Sequence, residues 1–189
     1  MALEILYHDA WLIVVDKPAG MLVHPGREPE PDDQIAMKVV RDQIGQRVST
    51  IHRLDRPTSG ILLMTVDSSI DSQMRQQFDS QLVKKRYTAV TIGELQEQWT
   101  NASPLQKSES EPFREAETAF VRQDIIQFPP HLFSLVHAYP ASGRFHQIRK
   151  HLSMAGHPIV GDYLYGRPDL MDEIAEQIQQ PRLMLHASQ

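Results

Sequence analysis

With 189 residues, 41% of them hydrophobic and 23% charged, the chain is long enough for one compact domain, or at most two small lobes, of ordinary globular composition. The lack of cysteine excludes disulfides, thiolate metal sites and cysteine nucleophiles. No apolar run nears the ~20 residues that cross a bilayer, and the acidic start MALEILYHDA carries no secretory n-region, which together read as a cytoplasmic protein. A formal net charge of −5 is opposite to that of a generic nucleic-acid binder. Yet KKR (84–86) and GRFHQIRKH (143–151) are locally basic, so a basic groove on an acidic body fits the totals.

In chain order, LEILY (3–7) and WLIVVDKP (11–18), split by HDA, predict a hairpin. PAGMLVHPG (18–26) has Pro and Gly at both ends and reads as an ordered loop. PEPDD (29–33) leads into a helix over 34–44, with Ile35, Val39, Val40 and Ile44 on one side. The continuous apolar run GILLMTV (60–66) predicts a central strand covered on both faces. Ser68 and Asp71 make a capping box for a helix along which Ile70, Met74 and Phe78 recur.

KRYTAVTIG (85–93) reads as a strand with a closing glycine, and residues 94–117, polar and proline-containing, as loop or short edge strands. AETAFVRQ (116–123) and HLFSLVHAYP (131–140) alternate as strands do. Phe145, Ile148, Leu152 and Ala155 form one helical stripe, ended by Gly156 and Pro158. A last helix over 170–179 precedes RLMLHAS (182–188). The expected class is α+β: a mixed, mostly antiparallel sheet with flanking helices.

HRLDRPTSG (52–60) sets Asp55 between Arg53 and Arg56, just before the most apolar segment of the chain. Such an aspartate serves either a structural ion pair or nucleophilic chemistry. Pro57, Thr58, Ser59 and Gly60 fix the local backbone, and the hydroxyl of Thr58 or Ser59 can donate to a carboxylate. A carboxylate at the rim of a core stays ionised only with a partner. Arg149, on the flank of the 145–155 stripe, is a candidate for that partner or a surface arginine with a buried stem. Tyr87, in the middle of a strand after three bases, is either a core tyrosine or a ring that stacks on a nucleobase with its hydroxyl placed for proton transfer. His146, His151 and His157, spaced by five and six residues, share no helix face. No HExxH, G-x-S-x-G, Walker A or G-x-G-x-x-G motif occurs, so no metal and no cofactor are expected.

Together, HRLDRPTSGILLM (52–64), KKRYTAV (84–90) and SGRFHQIRKHLSMAGHPIVGDYLYG (142–166), with DKPAGMLVHPG (16–26) and RLMLHAS, resemble in order the motifs of the RluA-type pseudouridine synthases. The resemblance covers nearly the whole chain. It implies one catalytic domain over residues 1–189, with the C-terminal tail missing or short and no S4-like RNA-binding domain. The activity implied is isomerisation of a specific uridine to pseudouridine. Within the family the chain looks most like members acting on tRNA, at uridine 65 on the T-stem side of the acceptor arm. Ribosomal RNA, or a non-catalytic RNA-binding role, is the alternative.

Carried over by motif, Asp55 is the catalytic aspartate, Arg149 the arginine paired with it, and Tyr87 the tyrosine that stacks on the target base. Arg53 fills the space of the flipped nucleotide, and Leu183 and Leu185 fall in the segment lining the uracil pocket. Arg56, Lys84, Lys85, Arg144 and Lys150 are expected on RNA phosphates. The implied enzyme is a cofactor-free monomer that binds no membrane. The chemistry is coherent: a stacked uridine must be extruded before its glycosidic bond is reached. A carboxylate then either attacks C1′ or assists formation of a glycal.

Overall fold

The computed structural model describes residues 2–25, 34–179 and 182–189, and the chain divides into two units, Met1–Val83 and Lys84–Gln189. In the first unit, β1 (Glu4–His8) and β2 (Leu12–Lys17) form the predicted antiparallel hairpin. Asp9 organises its turn, Oδ1 accepting the Trp11 and Leu12 N–H groups at 2.8 Å each. Strand parity turns Ile13, Val15 and Lys17 to one buried face.

β4 (Ser59–Thr65) lies antiparallel to β2, setting Met64 opposite Ile13, Leu62 opposite Val15 and Gly60 opposite Lys17. The two-residue β3 (Ser49–Thr50) also pairs with β4. Ile61 and Leu63 are only half-buried, so this apolar run alternates rather than being covered equally on both faces. Its register against β2 assigns the deeper face to Leu62 and Met64.

α1 (Ala36–Ile44) buries Ala36 and Val40 and ends at Gly45, whose φ of 66° suits a left-handed cap. The predicted lead-in at 29–33 and Gly26 of the predicted loop lie outside the described residues. α2 (Asp71–Asp79) follows a 3-10 turn, Ser68–Ile70. Asp67 caps that 3-10 turn, accepting the Ser69 N–H at 2.8 Å, whereas α2 itself starts from Ile70 with no side-chain cap, so the capping box predicted at Ser68 and Asp71 is not formed. Asp71 instead accepts the Thr65 hydroxyl.

The second unit carries β5 (Tyr87–Ile92), β6 (Gln98–Asn101), β7 (Thr118–Phe128), β8 (His131–Pro140) and β9 (Leu185–Ala187). They pair antiparallel in the order β9-β5-β8-β7-β6. β6 is the short edge strand expected within 94–117. β7 runs past its predicted end at Gln123, because a bulge between Arg122 and Asp124 resets its facing and hides the alternation. Tyr87 opens β5 rather than sitting at mid-strand.

α3 (Gln147–Met154) and α4 (Pro168–Ile178) cover this sheet. Ile148 and Leu152 enter a core with Ala89, Phe120, Val136, Ile159, Leu183 and Leu185, each full aliphatic burial contributing roughly 1.5–3 kcal/mol. Trp99 stacks on Phe120 with ring centroids 4.4 Å apart. The ends of the predicted stripe stay outside: Phe145 precedes the helix and is 39% exposed, and Ala155 is an exposed cap. His146, at φ 54°, is the left-handed residue that turns the chain into α3. Ile174 of α4 packs with Phe133 and Val160. Among the described residues no helix is long and apolar enough to cross a membrane. Antiparallel strands with a few helices are the α+β class expected.

Candidate functional site

Asp55 is half-buried in the turn entering β4, between buried Leu54 and exposed Arg56. Its carbonyl accepts the Thr58 N–H at 3.0 Å, closing the turn, and Thr58 and Ser59 are buried beneath it. Arg53 is exposed. The turn is laced to the segment after β2 through one residue. The Arg56 carbonyl accepts Gly20 N–H at 2.8 Å, and Arg56 Nε donates to the Gly20 carbonyl at 3.0 Å. His52 Nε2 accepts the Leu63 N–H at 2.9 Å, and its ring stacks on Phe78 at 4.8 Å.

Lys17 completes this lacing. Fully buried, its ammonium donates to the carbonyls of Met21 at 2.8 Å, Pro18 at 2.9 Å and Arg56 at 3.2 Å. Burial pushes the amine down to about 8, while the charges of Asp55 and Asp16 act the other way. The residue went unremarked in the sequence, although the parity of WLIVVDKP put it on the face of Ile13 and Val15.

In the second unit Arg149 is buried, and Asp162 grips it with two parallel bonds, Nε to Oδ2 at 2.7 Å and Nη2 to Oδ1 at 2.8 Å. Asp162 Oδ1 also accepts the Leu164 and Tyr165 N–H groups at 3.2 Å. The Tyr165 ring lies 5.0 Å from the guanidinium carbon, and its hydroxyl meets His146 Nδ1 at 2.8 Å. A buried guanidinium cannot shed its proton, so a planar carboxylate and an aromatic face are the partners it needs. Asp162 is the carboxylate that sequence reasoning passed over; its signal was the flanking glycine pair of GDYLYG (161–166). At Gly161, φ 78°, a Cβ would stand 2.1 Å from the Arg182 carbonyl, so only glycine fits. Beside it the Val160 N–H donates to the Val90 carbonyl, Val90 N–H to Met184, and Met184 N–H back to Val160, at 2.9, 3.1 and 2.9 Å.

A neutral network fixes α3 from below. Gln147 Nε2 donates to the Glu117 carbonyl and the Thr118 hydroxyl, while its Oε1 accepts the Ser142 hydroxyl and Arg144 N–H. His151, fully buried, places Nδ1 at 2.9 Å from the Thr118 hydroxyl and Nε2 at 3.0 Å from the Ser103 carbonyl. Burial holds its pKa below the usual histidine range. His146 and His157 have their own partners, the latter the Ile92 carbonyl. Among the described residues no three His, Asp or Glu side chains gather as a metal would require.

Of the other predicted residues, Tyr87 packs against the core that holds Leu183 and Leu185. Lys84 is exposed. Lys85, Arg144 and Lys150 each reach a carbonyl of their own unit, those of Ser142, Glu115 and Gln106. Burial lowers the pKa of Lys85 and Lys150.

Residues 11–154 match the family model described as RNA pseudouridylate synthase. A tRNA pseudouridine synthase C of Salmonella typhimurium is 38% identical over 203 aligned positions, covering 98% of this chain and 78% of the relative. One of Haemophilus influenzae is 39% identical, covering 98% and 84%. Among solved structures, human RNA Pseudouridylate Synthase Domain Containing 1 superposes with a TM-score of 0.79 at 25% identity, covering 98% of this chain and 76% of that one. The order of motifs, the mostly antiparallel α+β fold and these matches agree: the chain belongs to the RNA pseudouridylate synthase family and is an isomerase of the RluA type.

Proposed function

We propose that this enzyme isomerises uridine 65 of tRNA to pseudouridine, with Asp55 as the nucleophile. The uridine is flipped out of its stack, Arg53 taking the vacated space, since a planar cation both stacks and meets phosphate. Asp55 attacks C1′ as the N1–C1′ bond breaks, and the freed uracil turns over its pocket, lined by Leu183 and Leu185, beneath the Tyr87 ring. C5 then displaces the carboxylate from C1′, the C5 proton leaves with Tyr87 as the group that handles it, and N1 gains a proton. Atoms balance without a donor or an oxidant. Arg149 opposes the charge of Asp55 and favours its ionised form. Arg56, Lys84, Lys85, Arg144 and Lys150 hold backbone phosphates. The protein works as a monomer in the cytoplasm.

The observation that carries this reading is the match over 98% of the chain to relatives named tRNA pseudouridine synthase C, with Asp55 standing in the H-R-L-D-x-x-T-S-G string. Its placement in a closed, doubly laced turn suits a carboxylate that must be aimed.

Tritium release from tRNA carrying 5-tritiated uridine tests it. Wild type releases tritium, whereas Asp55→Asn releases none and keeps its RNA affinity; equal turnover in both removes Asp55 from the chemistry. Carbodiimide labelling and mass spectrometry of RNA from a deletion strain test the substrate. Loss of the pseudouridine at position 65 of tRNA is expected, and loss confined to ribosomal RNA overturns the tRNA assignment.

A further inference from the structure

The first unit contains a cavity of about 540 Å³ lined by Met37, Lys38, Arg41, Arg47, Val48, Ser49, Thr50 and Arg75. Four of those eight side chains are cationic and none is acidic, in a chain whose formal charge is −5. The cations converge from three segments. Lys38 and Arg41, three apart on α1, share a face. Past the left-handed cap at Gly45, Arg47 joins them in the lining of the same cavity. Arg75 arrives on α2, steadied by the Thr50 carbonyl at 3.3 Å and by Asp71 at 3.6 Å. Asp42, itself exposed, holds Arg41 from outside the lining at 2.7 Å.

We propose that this cavity is an RNA phosphate-backbone site, outside the motifs that carry the chemistry, in which Lys38, Arg41, Arg47 and Arg75 take consecutive phosphates of the substrate. The inference rests on the RNA-modifying reading above and adds a binding site to it. All four cations are exposed, as suits ends that exchange water and counterions for phosphate. A small-metabolite pocket is mostly apolar with a few convergent polar groups; here the cations outnumber the two apolar side chains, Met37 and Val48. The Ser49 and Thr50 hydroxyls add neutral donors of the kind that position a backbone without reading bases.

The test is the salt dependence of binding of the full chain to unfractionated tRNA, by filter retention between 50 and 200 mM KCl. Lys38→Ala/Arg41→Ala/Arg47→Ala is expected to lower the slope of log K against log salt by about 2 to 3 and to weaken binding about 100-fold near 150 mM. A control with the same loss of charge, Lys107→Ala/Arg122→Ala/Arg167→Ala, removes three cations paired with Glu111, Glu94 and Asp169 on the other unit. It should change the slope little. Arg47→Glu alone gives a second reading, because an exposed side chain can be reversed without unfolding the unit. Equal losses in test and control, or an unchanged slope in both Arg47→Glu and the triple variant, overturn the proposal. So does loss of inorganic pyrophosphate binding with tRNA affinity kept, which would make the cavity a small-anion site. The readout is binding alone: absence of tritium release from wild type would sink the isomerase reading and leave this result standing.

Discussion

Lys17 in the first unit is held by three neutral carbonyls, whereas Arg149 in the second is held by a carboxylate and faced by the Tyr165 ring. Both cations are buried, and each is the anchor of a segment that the family motifs single out. The difference follows from their chemistry. An ammonium can lower its pKa and tolerate dipoles alone, while a guanidinium stays charged and requires a counter-ion of matching plane. Two rigid supports are thus built on opposite principles, one able to titrate and one not.

The comparison breaks most visibly at Asp162. Asp162→Ala removes the carboxylate that takes two nitrogens of a buried arginine, and about 3–5 kcal/mol of stability should go with it. The urea midpoint measures this; a loss below about 1 kcal/mol would mean that the pair is worth no more than a surface one. Lys17→Met should cost less, about 1–3 kcal/mol, since it leaves neutral carbonyls rather than a charge without its partner. A larger loss than at Asp162 would reverse the order drawn here.

The pH dependence sharpens the contrast. The Lys17 amine binds its proton less tightly folded, about 8, than unfolded, 10.5. Between those values the unfolded chain holds more protons, so this group makes the fold more stable as pH rises through that window. Wild type minus Lys17→Met should show that rise, and a flat difference from pH 7.5 to 10.5 would place no titration at Lys17. The smallest effect is expected at His151, whose pKa lies below the ordinary 6.5. Its contribution is full above pH 6.5 and is lost as pH falls below it, because protonation spoils acceptance at Nδ1 from Thr118. His151→Gln should flatten that acid limb of the melting curve, and an unchanged limb assigns it to other groups.

Legibility in the sequence was uneven for physical reasons. Apolar runs split by a polar turn carried the hairpin 3–17, a helical stripe the helix around Ile148 and Leu152, strand alternation the start of β7, and polarity with proline the edge character of 94–117. They failed at Gln123, where a bulge switches faces, and at Phe145, where one left-handed residue detaches a ring from its stripe. Asp55 and Arg149 were conspicuous because a motif surrounds them. Lys17 and Asp162 were not, because a buried polar group is marked only by its position in a register or by a backbone crossing, and both require the tertiary partner to be seen. The basic cavity was invisible for the same reason: its cations are scattered from residue 38 to residue 75.

The three amides of Val90, Val160 and Met184 donate in a closed circle, each segment's link depending on the other two. Opening any one of those links leaves an amide and a carbonyl of the crossing without partners, so the three segments hold one another in place. Asp162 is two residues from this knot, and Gly161 is jammed against residue 182 in between. The aim of the Arg149 guanidinium therefore depends on backbone outside its own helix, through the carboxylate that this crossing places.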